Sequence, residues 1–97
     1  MAIEKLSASE ADAQLANLDG WAREGDEISK TYTLLSFPAA LAFTSTVGHL
    51  AEAADHHPDI LVQYKKVTLT LSTHEVGGLS ARDFELAAQI DALPMRG

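Results

Sequence analysis

The 97-residue sequence contains no cysteine, and this absence removes several kinds of chemistry. Disulfide bonds, thiolate nucleophiles, zinc-thiolate sites and iron-sulfur clusters all depend on cysteine sulfur. Any chemistry that the chain performs must therefore use histidine, carboxylate or hydroxyl side chains.

Basic residues are also scarce. Seven Lys and Arg stand against 14 Asp and Glu, which gives a formal net charge of −7. A negative protein repels nucleic acid phosphates and anionic lipids unless a basic patch offsets its charge. The one adjacent basic pair, Lys65-Lys66, is too small for that purpose. We therefore expect neither a nucleic acid nor a membrane as a partner.

Long hydrophobic runs are missing as well. No stretch approaches the roughly 18 apolar residues that a membrane-spanning helix needs, and Met1 to Leu6 do not resemble the start of a secretory signal. These features predict a cytoplasmic protein. The length predicts a single domain over residues 1–97, because folding units cluster at about 100 to 150 residues. A domain this small would gain from oligomerisation.

The hydrophobic periodicity predicts three helices and four strands. Capping signals at Ser7, Ser36 and Ser80 each precede a segment with helical spacing of apolar residues. Alternation of apolar and polar residues predicts one hairpin within 21–34 and a second within 60–73. The order α-β-β-α-β-β-α predicts an α+β fold, a four-stranded antiparallel sheet with helices on one face.

Two of these elements matter most for a site. The central helix is predicted to run from Ser36 to about Asp55, because apolar residues recur at steps of three and four and Pro58 prevents continuation. The last strand is predicted to place an apolar face opposite a polar one, and the polar face consists of Thr68, Thr70, Ser72 and His74.

Histidines are the candidate functional groups. His56 and His57 follow the predicted end of the central helix, and the second hairpin is expected to return His74 beside Pro58. Adjacent imidazoles disfavour being charged together, so one can donate a proton while the other accepts one. The structural alternative is that the pair serves as polar helix-end caps and that His74 is an exposed strand-end residue.

Metal binding is a second alternative for the three histidines. Three imidazoles can hold zinc, but their spacing lacks the helical pair at i and i+4 found in familiar zinc motifs. We therefore expect no metal. His49, seven residues before His56, is interpreted as structural.

The pattern of these residues resembles the pterin-4a-carbinolamine dehydratases. The family pattern runs from an acidic or polar residue through His-His-Pro, an aromatic residue and a histidine to an aspartate, here Glu52, His56-His57-Pro58, Tyr64, His74 and Asp83. The segments 71–75 and 78–83 also resemble the typical sequence of the family around its last histidine and its last helix. Thr46 departs from it, because many relatives have a basic residue there.

The resemblance implies removal of water from a 4a-hydroxytetrahydropterin to give a quinonoid dihydropterin, with no cofactor and no metal. By analogy, His56 and His74 would be general acids and bases, and His57 would chiefly bind the pterin. Glu52, Arg82 and Asp83 are further candidates for substrate binding. Glu52 is placed either to orient His56, one turn on, or merely to face water.

The resemblance also implies a homodimer or homotetramer. The alternative function is a non-catalytic protein-binding module, a dimerisation or assembly cofactor, because some relatives of this fold have such roles. Three further residues have simpler interpretations. Asp83 fits a capping box with Ser80, and Trp21 and Tyr64 are expected in the core rather than as stacking platforms.

Overall fold

The helices and strands appear in the order that the periodicity predicts. The computed structural model describes residues 3–94. The elements are α1 (Ala8–Leu15), β1 (Ala22–Glu24), β2 (Glu27–Thr33), α2 (Phe37–Ala54), β3 (Asp59–Gln63), β4 (Lys66–Leu71), a short 3-10 helix (His74–Val76) and α3 (Ala81–Asp91). The predicted order α-β-β-α-β-β-α and the α+β class are confirmed.

The four strands form one antiparallel sheet in the spatial order β1-β2-β4-β3. β4 is therefore central and pairs with β2 on one side and β3 on the other, whereas β3 is an edge strand. Alternate residues of the strands point into a single core, which they share with α2 and α3. The largest fully buried apolar residues there are Phe43, Ile28, Leu34, Leu69, Leu71, Leu86 and Ile90.

Helix α2 is bounded by specific caps. At its start, the Ser36 hydroxyl accepts a hydrogen bond from the Ala39 amide at 3.1 Å, and Pro38 lies in the first turn. At its end, Asp55 adopts the left-handed conformation with φ of 52°. This turn reverses the chain at once, and His56 N donates to the Ala51 carbonyl at 3.1 Å.

Two details differ from the sequence-based expectation. β4 ends at Leu71, so His74 lies in the 3-10 helix rather than on the polar face of a strand. Thr73 pairs with Gly78 in an isolated bridge instead. Tyr64 is 69% exposed with φ of 52°, because it occupies the tight turn between β3 and β4. The expectation that Tyr64 is a core residue is wrong, whereas Trp21 is buried.

The end of α3 is joined to the sheet by a hydrogen-bonded cluster around Asp91. Its carboxylate accepts hydrogen bonds from Trp21 Nε1 at 3.0 Å and from Lys30 Nζ at 2.8 Å. The Tyr32 hydroxyl donates to the same carboxylate. Lys30 Nζ also donates to the Asp19 carbonyl at 2.7 Å. Every partner of this half-buried carboxylate is thus a donor.

Across the described residues, no helix has both the length and the apolar character that crossing a membrane requires.

Candidate active site

The pairing of His56 with Asp83 is the central feature of the candidate site. His56 Nε2 lies 2.6 Å from Asp83 Oδ1, although the two residues are 27 positions apart in the chain. His56 is 6% exposed and Asp83 is fully buried. The left-handed turn at Asp55 directs His56 inward, and the first turn of α3 presents Asp83 to it.

The second oxygen of the Asp83 carboxylate is held by two donors. Thr73 Oγ1 donates to Oδ2 at 2.8 Å, and the Ser80 amide donates to the same atom at 3.0 Å. The Ser80 contact belongs to a capping box at the start of α3, so the predicted capping role of Asp83 is confirmed. Both donors keep the carboxylate in the role of an acceptor.

This arrangement determines which nitrogen of His56 is available. Because the carboxylate accepts, Nε2 donates, and in the neutral ring Nδ1 is then the acceptor. Among residues 3–94, no buried side-chain nitrogen or oxygen lacks a hydrogen-bond partner, and Nδ1 has no partner within that part of the chain. His56 Nδ1 must therefore reach solvent, where it can accept a proton.

His57 points to a different carboxylate. Its Nε2 lies 2.7 Å from Glu52 Oε1, and the two side chains are 58% and 80% exposed. The sequence placed Glu52 one turn before His56, either to orient it or to face water. The first interpretation is wrong, because the turn after α2 buries His56 and leaves His57 on the surface beside Glu52.

His74 and Arg82 lie on the surface, His74 directly after Thr73 and Arg82 two residues after Ser80. His74 is exposed in the 3-10 helix, directly after Thr73, which contacts Asp83. Arg82 Nη1 is 3.8 Å from Glu75 Oε2. The loop that carries His74 is thus linked to the start of α3 by a weak ion pair. Thr73, directly before this loop, is connected to His56 through the buried Asp83 carboxylate.

A cavity of about 310 Å³ borders this region. It lies between the end of α2 and the outer face of α3, and it is lined by Ala54, His56, Arg82, Glu85, Leu86 and Gln89. His57 and His74 are not part of this lining. A larger cavity of about 490 Å³, beside the start of α1 and the turn after β1, includes none of the histidines, and we do not assign it to the site.

No group of three or more histidine, aspartate or glutamate side chains within residues 3–94 is arranged to hold a metal ion.

Thr73 and Ser80 belong to the site, but the sequence did not indicate a place in the site for Thr73 and indicated Ser80 only as a helix cap. Thr73 and Ser80 are 0% and 1% exposed. A signal for Thr73 was present, because a period of two counted from Leu69 and Leu71 places it on the buried face. A hydroxyl at an inward position needs a buried hydrogen-bond partner, and the sequence does not reveal which one.

The fold and the site together define a class: small α+β proteins in which a buried carboxylate orients an imidazole at the end of a helix. The family model described as pterin 4 alpha carbinolamine dehydratase matches residues 4–93. The chain belongs to this family, and the resemblance noted from its motif residues is confirmed.

Curated relatives agree with this family over nearly the whole chain. A protein of Roseiflexus castenholzii is 56% identical over 88 residues, which covers 91% of this chain and 95% of the relative. One of Nocardia farcinica is 50% identical over 93 residues, covering 96% and 98%. Both are provisionally named pterin-4-alpha-carbinolamine dehydratase.

Two solved structures share the fold. A transcriptional coactivator/pterin dehydratase from Brucella melitensis aligns with a TM-score of 0.89 and 30% identity, covering 97% of this chain and all of its own. A pterin dehydratase-like protein, identified as a RuBisCO assembly factor in the alpha-carboxysome, aligns with a TM-score of 0.62 and 23% identity, covering 79% and 87%. At 23% identity, the match to this second structure shows a shared fold and nothing about function.

Proposed function

We propose that the protein dehydrates a 4a-hydroxytetrahydropterin to a quinonoid dihydropterin. The observation that carries this proposal is the buried His56–Asp83 pair, with 2.6 Å between Nε2 and Oδ1. It leaves one ring nitrogen of His56 as a solvent-reaching proton acceptor. Membership of the family supplies the substrate class.

The proposed reaction moves only protons and water. A general acid protonates the hydroxyl on C4a, the C4a–O bond breaks, and water leaves. The electron pair of N5 forms the C4a=N5 double bond, and a general base takes the N5 proton. No electrons are exchanged with a second molecule, so the reaction needs no redox cofactor.

We assign the two proton transfers to different histidines. Nδ1 of His56 would take the N5 proton, because Asp83 holds the opposite nitrogen protonated and stabilises the imidazolium that forms. Exposed His74 would protonate the leaving hydroxyl. His57, oriented by Glu52, and Arg82 would contribute to binding the pterin.

Asp83 has a different role in this proposal from the one inferred by analogy. Both of its carboxylate oxygens are occupied by protein donors, and the side chain is fully buried. It therefore cannot touch a substrate without breaking those contacts. We propose that Asp83 acts through His56, as a positioning residue.

The test follows quinonoid dihydropterin formation from freshly generated 4a-hydroxytetrahydropterin. We expect the native protein to accelerate the reaction and His74→Ala to lower kcat by about 100-fold. This is the lower end of the range for acid-base groups, because solvent water reaches this exposed position and replaces the imidazole in part. The matched control is His49→Ala, which removes an exposed histidine of α2 and should leave kcat unchanged.

The same assay separates the enzyme from a pure binding module. If the folded native protein gives no acceleration over buffer, the dehydratase proposal is wrong. The binding alternative then gains support from the apolar side chains exposed near the start of α2, namely Leu35, Phe37 and Leu41.

We further propose that the chain forms a homodimer or homotetramer in which β3 pairs with β3 of a second copy. β3 is an edge strand, and Ile60 and Leu61 are 37% and 53% exposed along it. An unprotected apolar edge favours pairing with another strand.

Light scattering after gel filtration tests this assembly. It should give a multiple of the monomer mass for the native chain and a lower mass for Leu61→Lys. Ala16→Lys, which adds a charge at the exposed residue directly after α1, is the control. A monomeric native chain would disprove this assembly.

A further inference from the structure

Thr73 occupies an unusual position for a hydroxyl side chain. It follows the last residue of β4 by two positions, so it continues the buried face of that strand, and it is fully buried. Its hydroxyl oxygen lies 2.8 Å from Asp83 Oδ2 and 2.7 Å from Ser80 Oγ. Thr73 thus contacts the carboxylate that holds His56.

The directions of these hydrogen bonds follow from the number of available protons. Thr73 has one hydroxyl proton, which it donates to Asp83, so Ser80 Oγ must be the donor in its contact with Thr73. Ser80 Oγ in turn accepts from the Arg82 amide at 3.3 Å. All the donors therefore point along one chain toward Asp83, and aligned hydrogen bonds strengthen one another in a dry interior.

The backbone of Thr73 has a second role. Its amide donates to the Gly78 carbonyl at 2.7 Å, and the Gly78 amide donates back to the Thr73 carbonyl at 3.3 Å. This pair of bonds closes the loop 74–77, which begins with His74. One residue therefore anchors the loop of His74 by its backbone and the carboxylate partner of His56 by its side chain.

We propose that Thr73 is a positioning residue that holds Asp83 and His56 in the geometry needed for proton transfer. The inference rests on the proposed dehydratase function and adds to it a residue outside the histidine motif. Without the hydroxyl, Oδ2 loses a buried donor, and the carboxylate is no longer fixed against His56 Nε2.

The test compares three variants. Thr73→Val removes the hydroxyl and keeps the shape of the side chain, whereas Thr73→Ser keeps the hydroxyl. Thr68→Val is the matched control on the preceding strand β4, because the Thr68 hydroxyl pairs at 2.8 Å with that of Thr31 on the exposed side of the sheet. Each variant is measured for kcat and KM, and the ring nitrogens of His56 are observed by ¹⁵N NMR.

For Thr73→Val we expect kcat to fall by about 10- to 100-fold, the factor that corresponds to losing a hydrogen bond to a charged group. KM should change little, since Thr73 does not reach the substrate. The spectrum should show neutral His56 protonated at Nε2 in the native protein and a mixture of tautomers in Thr73→Val. Thr73→Ser should recover kcat and the native spectrum, and Thr68→Val should match the native protein in both.

The two readouts separate this inference from the proposed function. If the native protein is active and Thr73→Val has native kcat and a native His56 spectrum, the inference is wrong while the dehydratase proposal stands. If the native protein is inactive, the spectrum alone decides: a change confined to Thr73→Val supports positioning, and an unchanged spectrum overturns it. Should valine prevent folding, Thr73→Ala removes the same hydroxyl with less volume and is judged by the same readouts.

Discussion

Replacing Asp83 by asparagine is expected to lower kcat by several hundred-fold or more, within the range of about 100- to 10,000-fold for positioned acid-base groups, while the chain remains folded. The native carboxylate accepts from three groups, namely His56 Nε2, Thr73 Oγ1 and the Ser80 amide. Asparagine has nearly the same shape but only one acceptor oxygen.

The physical reason is the tautomer of His56. If the asparagine oxygen remains with Thr73 and Ser80, its amide NH₂ faces His56 Nε2. That nitrogen must then accept rather than donate, so the proton of the neutral ring moves to Nδ1. The solvent-reaching nitrogen would no longer be able to take a proton from the substrate, although the pterin could still bind.

Measurements of kcat and of the ¹⁵N shifts of His56 test this prediction together. The matched control is Asp55→Asn, the same chemical change at the exposed position directly before His56, where asparagine also tolerates the left-handed backbone. We expect this control to retain kcat. The double variant His56→Ala with Asp83→Asn should be no slower than His56→Ala, because the two residues act as a unit. Native kcat in Asp83→Asn would show that the pair does not act in catalysis.

Asp91→Ala is expected to reduce the free energy of unfolding by about 3 kcal/mol. Trp21 and Tyr32 are 6% and 4% exposed, so both lose a hydrogen-bond acceptor that water replaces poorly. Lys30, whose side chain is 15% exposed, loses its counter-charge. This is a large fraction of the 5 to 15 kcal/mol that stabilises a typical domain, and urea unfolding at neutral pH measures it.

The contribution of Asp91 should also depend on pH. Burial by itself would raise the pKa of Asp91, but hydrogen bonds from Lys30, Tyr32 and Trp21 together hold that pKa below its usual value. A lowered carboxyl pKa stabilises the folded state above the unfolded value of about 3.9, and this stabilisation is lost as the pH falls through the folded-state pKa. The difference between native protein and Asp91→Ala should therefore be full at neutral pH and shrink in acid.

Asp12→Ala provides the control for the loss of a carboxylate. Asp12 pairs with Arg23 Nε at 2.7 Å, and its side chain is 56% exposed. Solvent screens such a pair, so its removal should destabilise the chain much less than Asp91→Ala. Equal losses in the two variants would contradict the role assigned to the Asp91 cluster.

Most of the secondary structure could be predicted from local sequence. The capping boxes at Ser7 and Ser80 and the helix start at Ser36 lie where the structure has them, because a cap involves residues at most four apart. The alternation in β4 likewise predicted its buried face. The expected strand failed only beyond Leu71, where Thr73 bonds to Gly78 and the chain turns into a 3-10 helix.

The sequence alone thus identified the candidate histidines and the family. The contacts among the site residues, in contrast, were decided by the tertiary structure. Glu52 was expected beside His56, yet the left-handed turn at Asp55 gives it His57 instead. His56 finds Asp83, 27 positions away, because α3 packs against α2. Local patterns report interactions between chain neighbours, but the partner of a buried imidazole depends on how separate elements pack, and short-range periodicity carries no information about that.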